Sequence, residues 1–139
     1  MIRVVQDTNL LVSALLFGGI PGQVYDAGRQ KQFRFLTSAD LIAELRRVLE
    51  YPKFAERFTR IAITSDEFAT SYIYAAEVVQ PIYVPFETVR DPKDIPVLAC
   101  AAGGKAEYIV TGDDDLLTLR RYENVSIVTP SEFLKTLTV

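Results

Sequence analysis

Histidine is absent from all 139 residues, and that gap removes whole classes of chemistry. No Ser-His-Asp or Cys-His nucleophile system and no histidine-ligated zinc site can be assembled. The lone Cys100 excludes an internal disulfide and a pair of thiolate ligands, a usage that fits a reducing compartment. On its apolar run it reads as a small buried residue. Long hydrophobic runs are missing too. The longest, residues 10–20, is too short to span a bilayer and is broken by Gly18 and Gly19. With Asp7 in a nearly uncharged start, the N-terminus makes a poor secretion signal. The expectation is a cytoplasmic protein with no membrane association. Gly18-Gly19-Ile20-Pro21-Gly22 lacks the Lys-Ser/Thr ending of a P-loop and does not satisfy GxGxxG, so it reads as a turn before a helix.

An excess of positive charge is also lacking: the net charge is −3, which excludes holding nucleic acid by bulk attraction. Its distribution says more. Residues 29–60, with Arg46, Lys53, Arg57 and Arg60 among eight cations, sum to +4, whereas residues 61–139 sum to −6. A basic flank beside an acidic centre can grip a polyanion while metal ions neutralise the site. Arg46, Lys53, Arg57 and Arg60 are therefore candidate substrate-binding residues, with Tyr51, Phe54 and Phe58 nearby for stacking, packing or a partner.

No internal repeat, low-complexity tract or long linker divides the chain, and its length suits one unit over residues 1–139 with a core of its own. Strand and helix patterns alternate. Strands are expected at 2–6, 33–37, 82–84, 107–111 and 125–128. Helices are expected at 9–17, from Pro21 to about 30, from a Ser38 or Asp40 cap through Leu49, and across 54–61 beyond Pro52. Four more are expected at 65–79, 94–102, 116–122 and 131–137. The sum is an α/β domain of three layers, with a mostly parallel central sheet covered by helices on both faces.

What the chain does have is acid at the ends of its strands. Parallel sheets bind ligands outside the carboxyl ends of their strands, and a carboxylate cluster without imidazole suits a hard cation such as Mg²⁺ or Mn²⁺. Asp7 follows the first strand; it is either a helix cap or, if Thr8 or Asn9 does the capping, free to bind metal. Glu44 lies about 40° from Val48 at roughly 100° per residue, at the edge of the apolar stripe. A carboxylate there needs a cation. Asp94 opens the apolar helix at 94–102 and is either its N-cap or a ligand, while Asp91 before Pro92 reads as a turn residue and Lys93 screens the pair. Thr111-Gly112-Asp113-Asp114-Asp115 is the strongest local signal. Two like charges ~4 Å apart cost about 1 kcal/mol in water and about 4 kcal/mol at an effective dielectric near 20, and a divalent ion offsets that repulsion. Asp114 should point to solvent, between two residues better placed to face a site.

Taken in order, Val4-Val5-Gln6-Asp7-Thr8-Asn9, Glu44, Arg90-Asp91-Pro92-Lys93-Asp94 with Leu98-Ala99-Cys100-Ala101, and Tyr108 through Leu117 make the chain resemble a PIN domain (PilT N-terminus), and within that family the toxin nucleases of VapBC-type toxin-antitoxin systems. The resemblance implies a parallel sheet flanked by helices, with the site at the strands' carboxyl ends. It maps Asp7, Glu44, Asp94 and Asp113 onto an acidic quartet that binds Mg²⁺ or Mn²⁺ and is catalytic, and Asp115 onto an additional acid found in part of the family. Thr8, Asn9 and Thr111 look like polar supports that orient the carboxylates. Ile95-Pro96 departs from the more polar residues of many relatives. The implied activity is metal-dependent hydrolysis of RNA phosphodiesters, in which such ions activate a water, orient the phosphate and stabilise the leaving oxygen. A cognate antitoxin protein and a homodimer are the partners it implies.

Two other readings stay open. A phosphoreceiver-like signalling module also combines strand-end acids with Mg²⁺, but needs a Lys near the end of the last strand, where Thr129-Pro130-Ser131 stand. A non-catalytic RNA-binding or scaffold member of the same fold would have little use for four retained acids.

Overall fold

The computed structural model describes residues 1–137. Alternating burial along each strand divides the interior into two cores. Val4 of β1 (Arg3–Gln6), Phe35 of β2 (Arg34–Thr37) and Val110 of β4 (Tyr108–Val110) face one side, while Val5, Leu36 and Ile109 face the other. That two-sided burial is the property of a parallel sheet covered on both faces. The strand order is β3-β2-β1-β4-β6-β5, with β3 at Glu77–Val78, β5 at Arg121–Tyr122 and β6 at Val125–Val128. All pairings are parallel except β5 with β6.

On the first side pack α1 (Thr8–Phe17), α2 (Gly19–Arg29), the lower turns of α3 (Ala39–Leu49), α5 (Ser65–Ala75) and α8 (Pro130–Leu137). Phe33, Phe35, Tyr72 and Phe133 meet edge-on in their midst. The short α4 (Ala55–Ile61) leans on α1. On the second side lie α6 (Ile95–Gly103) and α7 (Asp114–Leu119), with Cys100 fully buried. Burial pushes the Cys100 thiol up to about 12, so the residue is an inert packing element. The expected α/β architecture is the observed one.

Several expected boundaries shift, each for a local reason. Residues 82–84 are not a strand. Pro81 has no N–H to give a ladder, the Ile82 N–H donates to the Ala99 carbonyl of α6 (3.1 Å), and the neighbouring strand is β3 instead. Accordingly α5 stops at Ala75 rather than 79. Its cap is Thr64, which forms a reciprocal capping box with Glu67. Helix α7 stops at Leu119, because Arg120 adopts φ 60° and turns the chain into β5. Ser38, not Asp40, caps α3. Gly18, at φ 68°, allows α2 to begin at Gly19, before Pro21. Among the described residues, no single helix is long and apolar enough to cross a membrane.

Candidate metal centre

The adjacent parallel strands β1 and β4 end side by side, with Gln6 opposite Val110, and this register sets the site. The Asp7 N–H donates to the Val110 carbonyl (2.9 Å), which holds Asp7 opposite Thr111. Asp7 is 9% exposed. Its Oδ1 accepts from the Asn9 N–H (3.3 Å) and its Oδ2 from the Thr111 hydroxyl (2.7 Å). Asp7 therefore caps α1 itself, the first of the two alternatives the sequence left open; Thr8 is buried in the first turn and Asn9 contributes its backbone. The same Thr111 hydroxyl accepts from the Asp113 N–H (3.0 Å), so one hydroxyl fixes both strand-end acids.

Asp113 and Asp94 occupy the N-cap positions of α7 and α6, yet neither side chain makes a capping hydrogen bond. Capping thus does not account for either acid. Asp94 is close enough to share a proton with Asp113, and its Oδ2 is buried without a hydrogen-bond partner among the described residues. Carboxylate oxygens of Asp91, Asp94 and Asp115 lie within 4.8 Å of one another. Asp91 also accepts from the Lys93 N–H (3.0 Å), the turn role expected of it. Its membership of the cluster is the feature sequence reasoning missed. The turn signature of Asp-Pro concealed it; its three-residue spacing from Asp94, one turn of a 3₁₀ helix, was the available signal. Asp114 is exposed, as expected, between half-buried Asp113 and Asp115.

Electrostatics bind these acids into one unit. Burial raises the Asp7 pKa, opposed by the Thr111 hydroxyl and the Asn9 N–H, and the charge of Asp113 raises it further. Glu44, half-buried on α3, is raised first by burial and then by the charge of Asp7, while Arg47 and Lys93 pull it down. Asp94 is pushed up to about 8 by burial, then by its hydrogen bond with Asp113, then by the charges of Asp113, Asp91 and Asp7. Asp94 is the link between the Asp7–Asp113 pair and the Asp91–Asp115 pair.

The residues suit a hard divalent cation. A buried carboxylate oxygen with no partner, inside a donor set made only of oxygen, is what such a cation satisfies. A cluster of like charges raised by burial is likewise what cation binding relieves.

The cations flagged in the sequence lie elsewhere. Arg46 pairs with Asp66 (3.0 Å), Arg60 with Glu56 (3.0 Å), and the Arg57 guanidinium donates to the Leu16 carbonyl. Lys53 sits over the rings of Tyr51 and Phe54. Lys53, Arg57 and Arg60 line a cleft of about 570 Å³ with Phe17, at the far end of α1 from Asp7. A larger cavity of about 890 Å³ lies between α2 and α5, lined by Arg29, Lys31, Arg34 and Asp66, and contains none of the clustered acids.

The family model described as the PIN domain matches residues 3–115 of this sequence. The chain belongs to the PIN domain family. PIN domains are a family of metal-dependent nucleases, and the acidic cluster lies at the β1 and β4 carboxyl ends of this one. The crystal structure of PAE2754 from Pyrobaculum aerophilum has the same fold, with a TM-score of 0.58 at 14% identity over 99% of this chain and 90% of that one. No curated protein matches the sequence.

Proposed function

We propose that this PIN domain is a cytoplasmic metal-dependent endoribonuclease, the toxin of a VapBC-type toxin-antitoxin pair. The observation that carries the reading is Asp94, a half-buried acid at a helix start that caps nothing, keeps one buried oxygen without a partner among the described residues, and stands among four other aspartates. Asp7, Glu44, Asp94 and Asp113 would hold Mg²⁺ or Mn²⁺, with Asp115 and Asp91 completing the oxygen set. When bound, the cation supplies positive charge that polarises a phosphodiester and lowers the pKa of water near it.

The chain's own residues perform the remaining tasks. Thr111 holds Asp7 and the start of α7 in one arrangement, so the carboxylates need not reorganise when loaded. Asp94, its carboxyl pushed up to about 8 in the metal-free chain, would give up its proton on metal binding. Lys93 and Arg47, whose charges reach Glu44, temper the approach of a phosphate to an acidic rim. RNA as substrate, an antitoxin and a homodimer belong to the same proposal and are supported by the sequence resemblance.

Incubation of the purified protein with single-stranded RNA and Mg²⁺, Mn²⁺ or EDTA tests the core of the proposal. Cleavage with either metal, lost on chelation, is expected. Cleavage indifferent to EDTA, or none with metal demonstrably bound, would overturn it. Expression alone and with a neighbouring antitoxin gene tests the toxin role: growth arrest relieved by co-expression supports it, and growth unaffected by an active nuclease removes it.

A further inference from the structure

Among the described residues nine large hydrophobic side chains are exposed, and four of them, Val78, Ile82, Tyr83 and Phe86, fall within nine consecutive positions. Those positions belong to the segment that delivers Asp91 and Asp94 to the metal centre. It is not loosely held. Gly103 lacks a Cβ, which lets the Gln80 carbonyl lie directly on α6; a side chain there would collide with it. Ile82 is hydrogen-bonded to Ala99, Val84 and Val89 are buried in the second core, and the Thr88 N–H donates to the Pro85 carbonyl (3.1 Å). Pro81 and Pro85 restrict the backbone further.

Between these anchors Tyr83 and Phe86 turn outward, 82% and 70% exposed. Neither ring packs against another aromatic ring or a cation among the described residues. Most of each ring is therefore open to solvent, on backbone that is already fixed. Phe86 is five residues from Asp91, a span of at most about 18 Å. Exposed Arg90 lies between them with no ion pair among the described residues, unlike the engaged cations of α4. Isolated open rings beside an unpaired cation, on the segment that ends in a metal centre, suit alternating bases and phosphates better than they suit a flat protein interface.

We infer that Tyr83 and Phe86 form a stacking platform for the bases of a single-stranded RNA whose scissile phosphate lies at the acidic cluster, with Arg90 contacting its backbone. This rests on the ribonuclease reading above. The rings are positioning residues: they set where the strand lies and how tightly, not the chemistry. Stacking accepts any base, so the platform contributes affinity with little sequence preference.

Steady-state cleavage of an RNA oligonucleotide with Mn²⁺ tests it, using wild type, the double variant Tyr83→Ala/Phe86→Ala, and the ring-preserving Tyr83→Phe and Phe86→Tyr. The double variant should raise KM by about fivefold to a hundredfold with kcat unchanged, and the ring-preserving variants should stay near wild type. An oligonucleotide with abasic positions should lose affinity for the wild type and little more for the double variant. Unchanged KM in the double variant refutes the platform and leaves the nuclease standing. Unchanged KM with an altered oligomeric state also refutes it, and makes the rings a contact between proteins. A wild type that cuts no RNA with metal bound brings down the ribonuclease reading itself, and the platform with it.

Discussion

The two ends of α1 carry opposite kinds of charge in opposite states of satisfaction. At its start, Asp7 and Asp94 crowd against Asp113, both raised first by burial and further by neighbouring negative charge, and one Asp94 oxygen has no partner among the described residues. At its end, around Phe17, Arg57 donates to the Leu16 carbonyl, Arg60 pairs with Glu56 and Lys53 rests over aromatic rings. Charge that the fold itself satisfies reports on structure. Charge held together at a cost that the fold offsets only in part reports on a ligand. By that criterion the acidic end is the site, and the basic end is a surface whose cations have less left to offer a phosphate.

The comparison breaks most decisively at Asp7. Asp7→Asn keeps the cap acceptor and reverses the Thr111 contact, its amide N–H donating to the hydroxyl, but removes the charge, so cleavage should fall at least about a thousandfold while the fold persists. Single-turnover cleavage beside a thermal melt checks this. Full activity in a folded Asp7→Asn protein would mean the acids of this end are structural.

Asp94 gives the pH dependence. Its folded pKa, about 8, exceeds the unfolded value, so between about pH 4 and pH 8 the metal-free native state holds a proton that the unfolded chain has lost. Metal-free stability should therefore decline as pH rises through that window and level off above about 8. Asp94→Asn should flatten the decline. Metal affinity should run the opposite way, rising by up to about tenfold per pH unit below 8 because one proton must leave. Melting curves and calorimetric titration with Mn²⁺ at pH 6, 7 and 8 read both trends.

Thr111 sharpens the contrast, since it belongs to the acidic end without being charged. Thr111→Val deletes the hydroxyl that donates to Asp7 and accepts from the Asp113 N–H. Metal affinity or activity should fall about 10–100-fold, and Thr111→Ser should restore most of it. An equal loss in Thr111→Ser, which keeps the hydroxyl, would show that the hydroxyl alone does not account for the effect.

How much of this was legible beforehand follows from what each residue type reveals. Strand-end acids and the edge position of Glu44 could be read because burial patterns fix where a side chain points, and the sheet then brings distant positions together. Asp91 could not, because the Asx turn before Pro92 satisfies the local rule completely and hides a second use. Residues 82–84 read as a strand because they are apolar, yet only Val84 is buried; the outward Tyr83 became visible once the Ile82 N–H was seen to bond α6 rather than a sheet. The stop of α7 had no glycine to announce it, since Arg120 itself takes the positive φ. Partnering of the cations is a tertiary property that spacing conceals, apart from the i,i+4 pair of Glu56 and Arg60.

An unsatisfied polar group is not by itself a site, and Gln6 shows the difference. It is 2% exposed on β1, beside Asp7, and neither its amide N–H nor its carbonyl has a partner among the described residues. It carries no charge and stands in register with Val110 of the first core. Gln6→Met, similar in volume and without polar atoms, should stabilise the fold by about 1 kcal/mol, read as a higher melting temperature, and leave cleavage intact. A fall in cleavage would promote Gln6 to the acidic end's machinery.

The smallest effect lies at the basic end. Arg60 and Glu56 are both well exposed, one turn apart on α4, a pairing worth about 0.3–0.5 kcal/mol. Arg60→Gln should therefore cost no more than that in stability. It should also leave the salt dependence of RNA affinity almost unchanged, because a cation already neutralised by Glu56 releases few counterions from a phosphate. A residue that does neutralise one would change the slope of log affinity against log salt by about one. Measuring that slope for Arg60→Gln beside Arg90→Gln places the two ends on one scale. The expected result is a change near one for Arg90 and near zero for Arg60. The reverse order would show that α4, paired charges included, is where the RNA backbone runs.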